Sequence, residues 1–359
     1  MKFDVAIVGA GMAGASLASE LAPHASVLLL EAEDEPGYHS TGRSAAFWSE
    51  TYGGPGVQPL TTASGAFLRE QGFLGERRGL HLADREGVAA LDAMAAEFAG
   101  EVTLERLDRD GIERWVPGAR EAWVEALLEP SCADIDVAAL HAFYLASARR
   151  SGAELATGAR MSRASRHGGR WRIDTSAGGF EAELMVDAAG AWADPVARLA
   201  EVAPLGIQPY RRTVVQLAVS PPAPAGMPLV VDIAGRFYFK PEAGGRLWVS
   251  PHDETPCEAS DCAAEELDVA VAVDRLEKAV DWRVERVERR WAGLRSFAPD
   301  RLPVYGLDPA RAGFFWFAGQ GGFGIQTAPA AAKLGAALLL GREPEIDPLP
   351  YRPQRFGKG

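Results

Sequence analysis

Three glycines, Gly9, Gly11 and Gly14, stand where an apolar run from Asp4 to Val8 gives way to small and aliphatic residues at helical spacing, Ala15 to Leu21. After Pro23 a second continuous apolar run, Val27 to Leu30, follows, the pattern of a strand buried on both faces of a parallel sheet. Strand, tight turn, helix and strand make one βαβ unit. In a G-x-G-x-x-G turn the first glycine permits the tight bend, the second lets a pyrophosphate approach the backbone, and the third lets helix and strand pack closely. The helix start then offers free N–H groups and a positive dipole end to the diphosphate. Glu31, seventeen positions after Gly14, ends the second strand where a carboxylate accepts hydrogen bonds from ribose hydroxyls. It also repels a 2′-phosphate, which argues against NADP. A glycine turn by itself occurs in any parallel α/β protein; the strand, helix and acid around it make the dinucleotide reading. FAD and NAD share the ADP half, and the Gly-, Ser- and Arg-rich segment soon after Glu31 suits an extended flavin.

The 359 residues exceed what a single core serves, about 250–300 residues, so two domains are expected. A net charge of -12 repels a phosphate backbone and argues against nucleic acid as a partner. Apolar runs such as Leu334 to Leu340 fall short of the ~20 residues of a membrane helix. The first strand begins almost at Met1, leaving no room for a secretory signal, and a cytoplasmic protein without an integral membrane segment is expected. Cys132, Cys257 and Cys262 form no disulfide framework and no metal-ligand spacing, so no metal is expected. Glu33 to Gly54 reads as a long functional loop. Helices are predicted over 88–101, over Val137 to Ala148 behind the N-cap Asp136, and from about Thr327 to Leu340. Leu184 to Val186 form a strand entering Asp187 to Trp192, a second close approach of backbone to ligand. Segments 212–219, 229–240 and 246–250 read as an antiparallel sheet, and the basic tail after Pro348 as frayed.

The segment Pro36-Gly37-Tyr38-His39-Ser40-Thr41-Gly42-Arg43-Ser44-Ala45-Ala46 resembles the flavin-contacting segment of the D-amino-acid-oxidase-like FAD family, in particular its D-arginine dehydrogenase branch. Ala133 to Asp136, Asp187 to Trp192, Pro204 to Gly206, Phe237 to Pro241, Trp291 to Phe297 and Gln320 to Thr327 resemble it in the same order. The resemblance implies an α/β fold: a discontinuous FAD-binding Rossmann-like domain (1–80, 140–205 and 296–359) and a substrate domain with a mostly antiparallel β-sheet and helices (81–139 and 206–295). It implies noncovalent FAD. The cofactor contacts it implies around the first turn and strand are Gly9, Gly11, Met12, Ala13, Gly14, Glu31 and Ala32. The loop adds Ser40, Thr41, Arg43, Ser44, Ala45 and Ala46, and the middle of the chain Met161, Ala189, Gly190 and Trp192. Gly321, Gly322, Phe323, Gly324, Ile325 and Gln326 complete the set, with N–H groups near the flavin's pyrimidine oxygen. His39 is expected to fix local loop structure.

On the substrate side the family positions match Arg212 and Arg295 as a carboxylate fork, Tyr52 and Tyr238 as substrate-lining phenols, and Gly322 as a backbone carbonyl for the amine. Without that context an arginine more often makes a surface salt bridge and a tyrosine more often packs in a core. Once the amine is neutral, hydride departure to flavin N5 is the chemical step, and none of the six histidines is needed as a base. Two departures matter: Phe47 stands where the D-arginine branch has a substrate-contacting histidine, and Gly79 where it has an acid that meets the basic side chain. A guanidinium left unpaired in a dry pocket costs heavily. A D-amino acid with an apolar or small side chain is therefore expected, going to the imino acid and then to 2-oxo acid and ammonia. Glycine, sarcosine, D-proline or a 2-hydroxy acid as substrate, or a flavin protein without turnover, are the other readings. The electron acceptor, whether quinone, dye or oxygen, has no linear motif.

Overall fold

The first strand, Lys2–Val8, is flanked on both sides by parallel partners, Val27–Leu30 and Gly178–Asp187, and from Val5 to Val8 it is buried on both faces by the cores packed against them. Ala6, Val8, Leu28 and Leu30 face one core with Trp171, Ile173 and Phe180; Val5, Ile7, Val27 and Leu29 face another with Leu17, Leu21 and Leu334. The computed structural model describes residues 2–357. The strand Glu154–Ala156 extends this eight-stranded sheet beyond Val27–Leu30, and a three-stranded antiparallel ribbon, Met161–His167, Arg170–Thr175 and Gly178–Asp187, closes the other side. Phe314–Ala318 joins the C-terminal half of Gly178–Asp187 in parallel, at Met185 to Asp187. Helices Met12–Leu21, Val137–Arg150 and Ala328–Leu339 are read correctly from the sequence to within a few residues. Asp136 caps the second of them, accepting from the Ala139 N–H at 2.9 Å.

A ten-stranded sheet forms the other half, and its spine is one long antiparallel pair, Gln208–Ser220 with Arg283–Phe297. One face of it packs Val215, Leu217, Leu247, Val249 and Phe239 against Val269, Ala272 and Leu276 of the helix Glu266–Ala279. The opposite face is left for the site. The middle segments are antiparallel as expected, with one exception: Leu229–Asp232 runs parallel to Gly79–Ala83, because the chain reaches it from a distant strand instead of a hairpin. A small third sheet, Phe47–Trp48, Ala133–Ile135 and Leu74–Glu76, anchors the loop after the first βαβ unit. The tail after Pro348 is docked, not frayed. Tyr351 is buried and donates its hydroxyl to the Gly56 carbonyl at 2.9 Å, and Arg355 Nε pairs with Asp300 at 2.7 Å. Among the described residues no helix is long and apolar enough to cross a membrane, and no group of three metal-type side chains converges.

Candidate cofactor and substrate site

A cavity of about 430 Å³ runs from the ends of the parallel strands to the open face of the antiparallel sheet. At its first end the glycine turn does what its spacing demands. Gly9 has φ +103°, and a Cβ there would lie 2.5 Å from the Ala188 carbonyl oxygen. A Cβ on Gly14 would lie 1.8 Å from the Gly9 oxygen, so the third glycine packs helix on strand and stays off the wall. Gly11, Met12 and Ala13 form the wall at the helix start, where first-turn N–H groups lack intrahelical acceptors. Thr41 Oγ1 accepts the Met12 N–H at 2.9 Å. The Glu31 carboxylate is fixed at the strand end by the N–H groups of Ala10 (3.0 Å) and Glu33 (3.1 Å). A helix N-terminus beside a positioned carboxylate fits a diphosphate joined to a ribose.

The loop after Glu31 is stitched onto the strand Arg283–Phe297 across the cavity. Ser40 Oγ donates to the Leu294 carbonyl (2.8 Å), Trp291 Nε1 donates to the Arg43 carbonyl (3.0 Å), and Arg43 Nη1 donates to the Cys262 carbonyl (2.9 Å) while its other end pairs with Asp261. His39 bonds Glu33 at 3.1 Å and packs on Trp192 at 4.5 Å between ring centres, holding the loop as expected. Asp187, fully buried, ends the opposing strand; burial pushes its carboxyl well above the usual range, and its Oδ1 accepts the Ala189 N–H at 3.1 Å. Ala32, Ser44, Ala45, Met161, Ala189, Gly190, Trp192, Gly321, Gly322, Gly324 and Ile325 also stand on the wall. Ala46, Phe323 and Gln326 do not. The Ala46 carbonyl accepts from the Ile135 N–H, Phe323 packs with Val57 and Phe297, and Gln326 is spent on the backbone of Ser49 and Tyr52. Sequence reasoning missed Arg160, Val214 and Gly293 on the wall. The last two follow from strand pairing: Arg212 lies opposite Gly293, so Val214, Gly293 and the arginines share a face.

That ladder also sets the opposite end of the cavity. With Tyr210 opposite Arg295 and Arg212 opposite Gly293, the two arginines are diagonal neighbours on one face of the sheet. Arg212 is 3% exposed, with Nε on the Asp253 carbonyl (2.6 Å) and Nη2 on Glu254 (3.1 Å), while the buried Nη1 has no partner. Arg295 has no side-chain hydrogen bond or ion pair among the described residues. Burial, and then repulsion from Arg295, pull Arg212 down to about 10. Two guanidinium groups with donors to spare in one cavity create a demand for an anion. Tyr238 stands on the same wall. Tyr52 lies behind Gly322, where a Cβ would come within 2.2 Å of its hydroxyl and 3.4 Å of Arg295 Cδ. It fronts a second cavity of about 320 Å³ shared with His252, Glu254, Phe297 and Arg301. Phe47 packs 5.2 Å from the Tyr52 ring and 6.2 Å from that of Tyr238.

His252 gave no signal in the sequence, yet the fold places it here. Its backbone has φ +55°, its Nδ1 lies 2.6 Å from the Gly235 carbonyl, and its ring packs 5.9 Å from Tyr238. Burial, then Arg212 and Arg295, push it down to about 3. The neutral ring therefore donates from Nδ1, leaving Nε2 as an acceptor.

The chain matches the DAO family, FAD dependent oxidoreductase, over residues 4–338. Glycine oxidase of Pseudomonas aeruginosa is 32% identical over 188 residues, 50% of this chain and 48% of that protein, so the match spans about half the length of that relative. Glycine oxidase of Geobacillus kaustophilus is 27% identical over 373 residues, covering 98% of this chain and 96% of the relative. A crystal structure of glycine oxidase from the same organism superposes with a TM-score of 0.87 at 26% identity over 99% of both chains. L-proline dehydrogenase from P. horikoshii, 20% identical, has the same fold, with a TM-score of 0.88 over 99% of this chain and 98% of that one. Matched from Asp4 to Leu338 and sharing a glycine oxidase backbone along nearly its whole length, the chain belongs to the DAO family of FAD-dependent oxidoreductases, and FAD is its cofactor.

Proposed function

We propose that the protein oxidises the Cα–N bond of a small or apolar amino acid, a D-amino acid first, giving an imino acid that water hydrolyses to 2-oxo acid and ammonia. The observation that carries this is the pair Arg212 and Arg295, diagonal on one sheet face with an unpartnered Nη1 and an unpaired guanidinium facing the cofactor cavity. Bound FAD supplies the two-electron acceptor. The arginines grip the carboxylate as a fork, relieving their mutual repulsion; Tyr52 and Tyr238 add phenol donors and exclude water; the Gly322 carbonyl receives the amine. Segments 1–80, 140–205 and 296–359 serve as the FAD-binding unit, and 81–139 and 206–295 as the substrate unit.

The side-chain preference rests on what surrounds Phe47. Cys132, Leu229, Val231 and Tyr238 pack beside it, and Gly79 brings no side chain. The nearby carboxylate, Glu129, lies opposite Gly79 in the strand register and is saturated by three donors from the chain. Among the described residues packed around Phe47, this leaves no acid free for a guanidinium or ammonium side chain. The preference for the D enantiomer rests on the resemblance to the D-arginine branch. A second reading, oxidation of glycine or sarcosine, is supported by the Phe47, Tyr52 and Tyr238 rings crowding the arginine end and by the glycine oxidase relatives. Anaerobic mixing with single D- and L-amino acids, glycine and sarcosine tests both, with bleaching of the flavin band as the readout. D-leucine, D-phenylalanine and D-methionine are expected to reduce the flavin faster than D-arginine. The reverse order overturns the apolar pocket, and fastest reduction by glycine selects the second reading. Admitting air, and separately a quinone or dye, then identifies the acceptor.

A further inference from the structure

We propose that Glu129 is a positioning residue for the reaction, holding the segment Ser49 to Tyr52 so that the Tyr52 hydroxyl stands against Gly322 and beside Arg295. The proposal rests on the reading above, in which Tyr52 helps receive the substrate carboxylate.

Glu129 ends the strand Glu125–Glu129 in the antiparallel sheet, far in sequence from Tyr52, and is 0% exposed. A bare carboxylate is not sustained in such a place unless donors converge on it. Here three consecutive residues supply them. Ser49 Oγ donates to Oε2 at 2.9 Å, the Glu50 N–H to Oε1 at 2.7 Å, and Thr51 Oγ1 to Oε2 at 2.7 Å. His81 Nε2, from the adjacent strand, lies 3.5 Å from Oε2 and 3.3 Å from Thr51 Oγ1. Burial works to raise the carboxyl, and His81, Thr51 and Ser49 outweigh it, so the group stays ionised. The residue immediately after these donors is Tyr52. From the other side Gln326 accepts the Ser49 N–H at 3.2 Å and donates to the Tyr52 carbonyl at 3.2 Å and to Thr61 Oγ1 at 2.9 Å. The four-residue segment is thus clamped between a carboxylate on the substrate-side sheet and an amide just past the Gly322 loop. Loss of the carboxylate leaves several buried donors without an acceptor and frees the N-terminal side of Tyr52.

The test uses flavin-loaded Glu129→Ala, Glu129→Gln, Thr51→Val, Tyr52→Phe and the Glu129→Ala/Tyr52→Phe double variant. Deuterium exchange at the amides of Glu50 and Tyr52 reads the segment directly, without turnover. Anaerobic flavin reduction by D-leucine gives an apparent Kd and a limiting rate. Faster exchange is expected in Glu129→Ala, with an apparent Kd raised on the order of 10- to 100-fold, the scale of losing one hydrogen bond to a charged group, and the limiting rate changed less. Glu129→Gln keeps the shape, its amide oxygen can accept the Glu50 N–H and the two hydroxyls can turn, so it should return most of the affinity. The double variant should bind no worse than its weaker parent, because both remove one contribution. Thr51→Val, which removes a single donor, should show a smaller effect in the same direction and serves if Glu129→Ala does not fold. Unchanged exchange in folded Glu129→Ala or Thr51→Val, additive losses in the double variant, or Tyr52→Phe binding D-leucine like the parent each overturn the proposal. If no amino acid bleaches the parent protein, the proposed reaction fails instead, and exchange alone decides whether Glu129 holds the segment.

Discussion

The two ends of the main cavity are built in opposite ways. At the glycine end, Gly9, Gly11, Gly14 and Glu31 come from one contiguous βαβ unit and are held largely by neighbours within it or by the loop that follows, such as Thr41 on the Met12 N–H, with Ala188 reaching Gly9 from the end of a distant strand. At the arginine end, Arg212, Tyr238, Arg295 and Gly322 come from separate elements: the two arginines meet because two long strands pair in one register, and Tyr238 and Gly322 are brought to the same wall by other strands and a loop. The first end depends on local backbone shape and the second on long-range pairing and on positive charge only partly countered, Arg212 by Glu254 and Arg295 by no ion pair among the described residues. Changes at the arginine end should therefore alter substrate affinity with flavin retained, and changes at the glycine end should do the reverse.

The largest expected effect is at the arginines. Arg295→Met leaves a bound carboxylate facing only Arg212 and should weaken substrate binding by about 2–5 kcal/mol, some 30-fold or more in apparent Kd. Flavin content, read from absorbance of the purified protein, should not change. Gly14→Ala forces a methyl to within 1.8 Å of the Gly9 oxygen, so helix and strand must part. A loss of about 1–3 kcal/mol in stability, measured by urea unfolding, and protein purified largely without flavin are expected. Flavin retained at the parental level would break the comparison at its local end.

A third test uses the charge crowding at the arginine end. His252 is pushed from 6.5 down to about 3 by burial, Arg212 and Arg295, so below pH 6.5 the unfolded chain binds a proton that the folded chain refuses. Stability from this residue is full above about 6.5 and falls as pH drops toward about 3, by at most about 1.4 kcal/mol per pH unit. Urea midpoints across that range should fall less steeply for His252→Asn, which tolerates the left-handed backbone. An unchanged slope would remove His252 from the crowded cluster. The smallest effect is expected for Thr41→Val, which removes the acceptor of the Met12 N–H and should cost about 0.5–2 kcal/mol, read as weaker flavin retention.

What could be read from the chain alone follows the same divide. The glycine turn, Glu31 and the Asp136 cap are local, each resting on residues within one strand-turn-helix-strand unit or one helix start. The arginines and tyrosines came through resemblance, and no spacing in the sequence places Arg212 diagonal to Arg295. Val214 and Gly293 were missed for that reason: only the register turns them toward the cavity. His252 was passed over because its strain, its bond to Gly235 and its charged neighbours all arise from tertiary contacts. Gln326 shows the converse error. It follows the wall residue Ile325, yet the helix that starts just beyond turns it inward to serve the Tyr52 segment. The tail misled through its composition, since charge and proline suggest fraying while Tyr351 and Arg355 tie it down.

The long strand pair stays in register from Gln208 opposite Phe297 to Gln216 opposite Arg289, and its irregularities begin only beyond that point. The separation of the two guanidinium groups is thus a lattice spacing of pleated sheet, insulated from whatever the surrounding loops do. Residues such as Phe47 or Gly79 sit on other strands, so on the proposed reading exchanging them would alter side-chain preference without moving the two guanidinium groups.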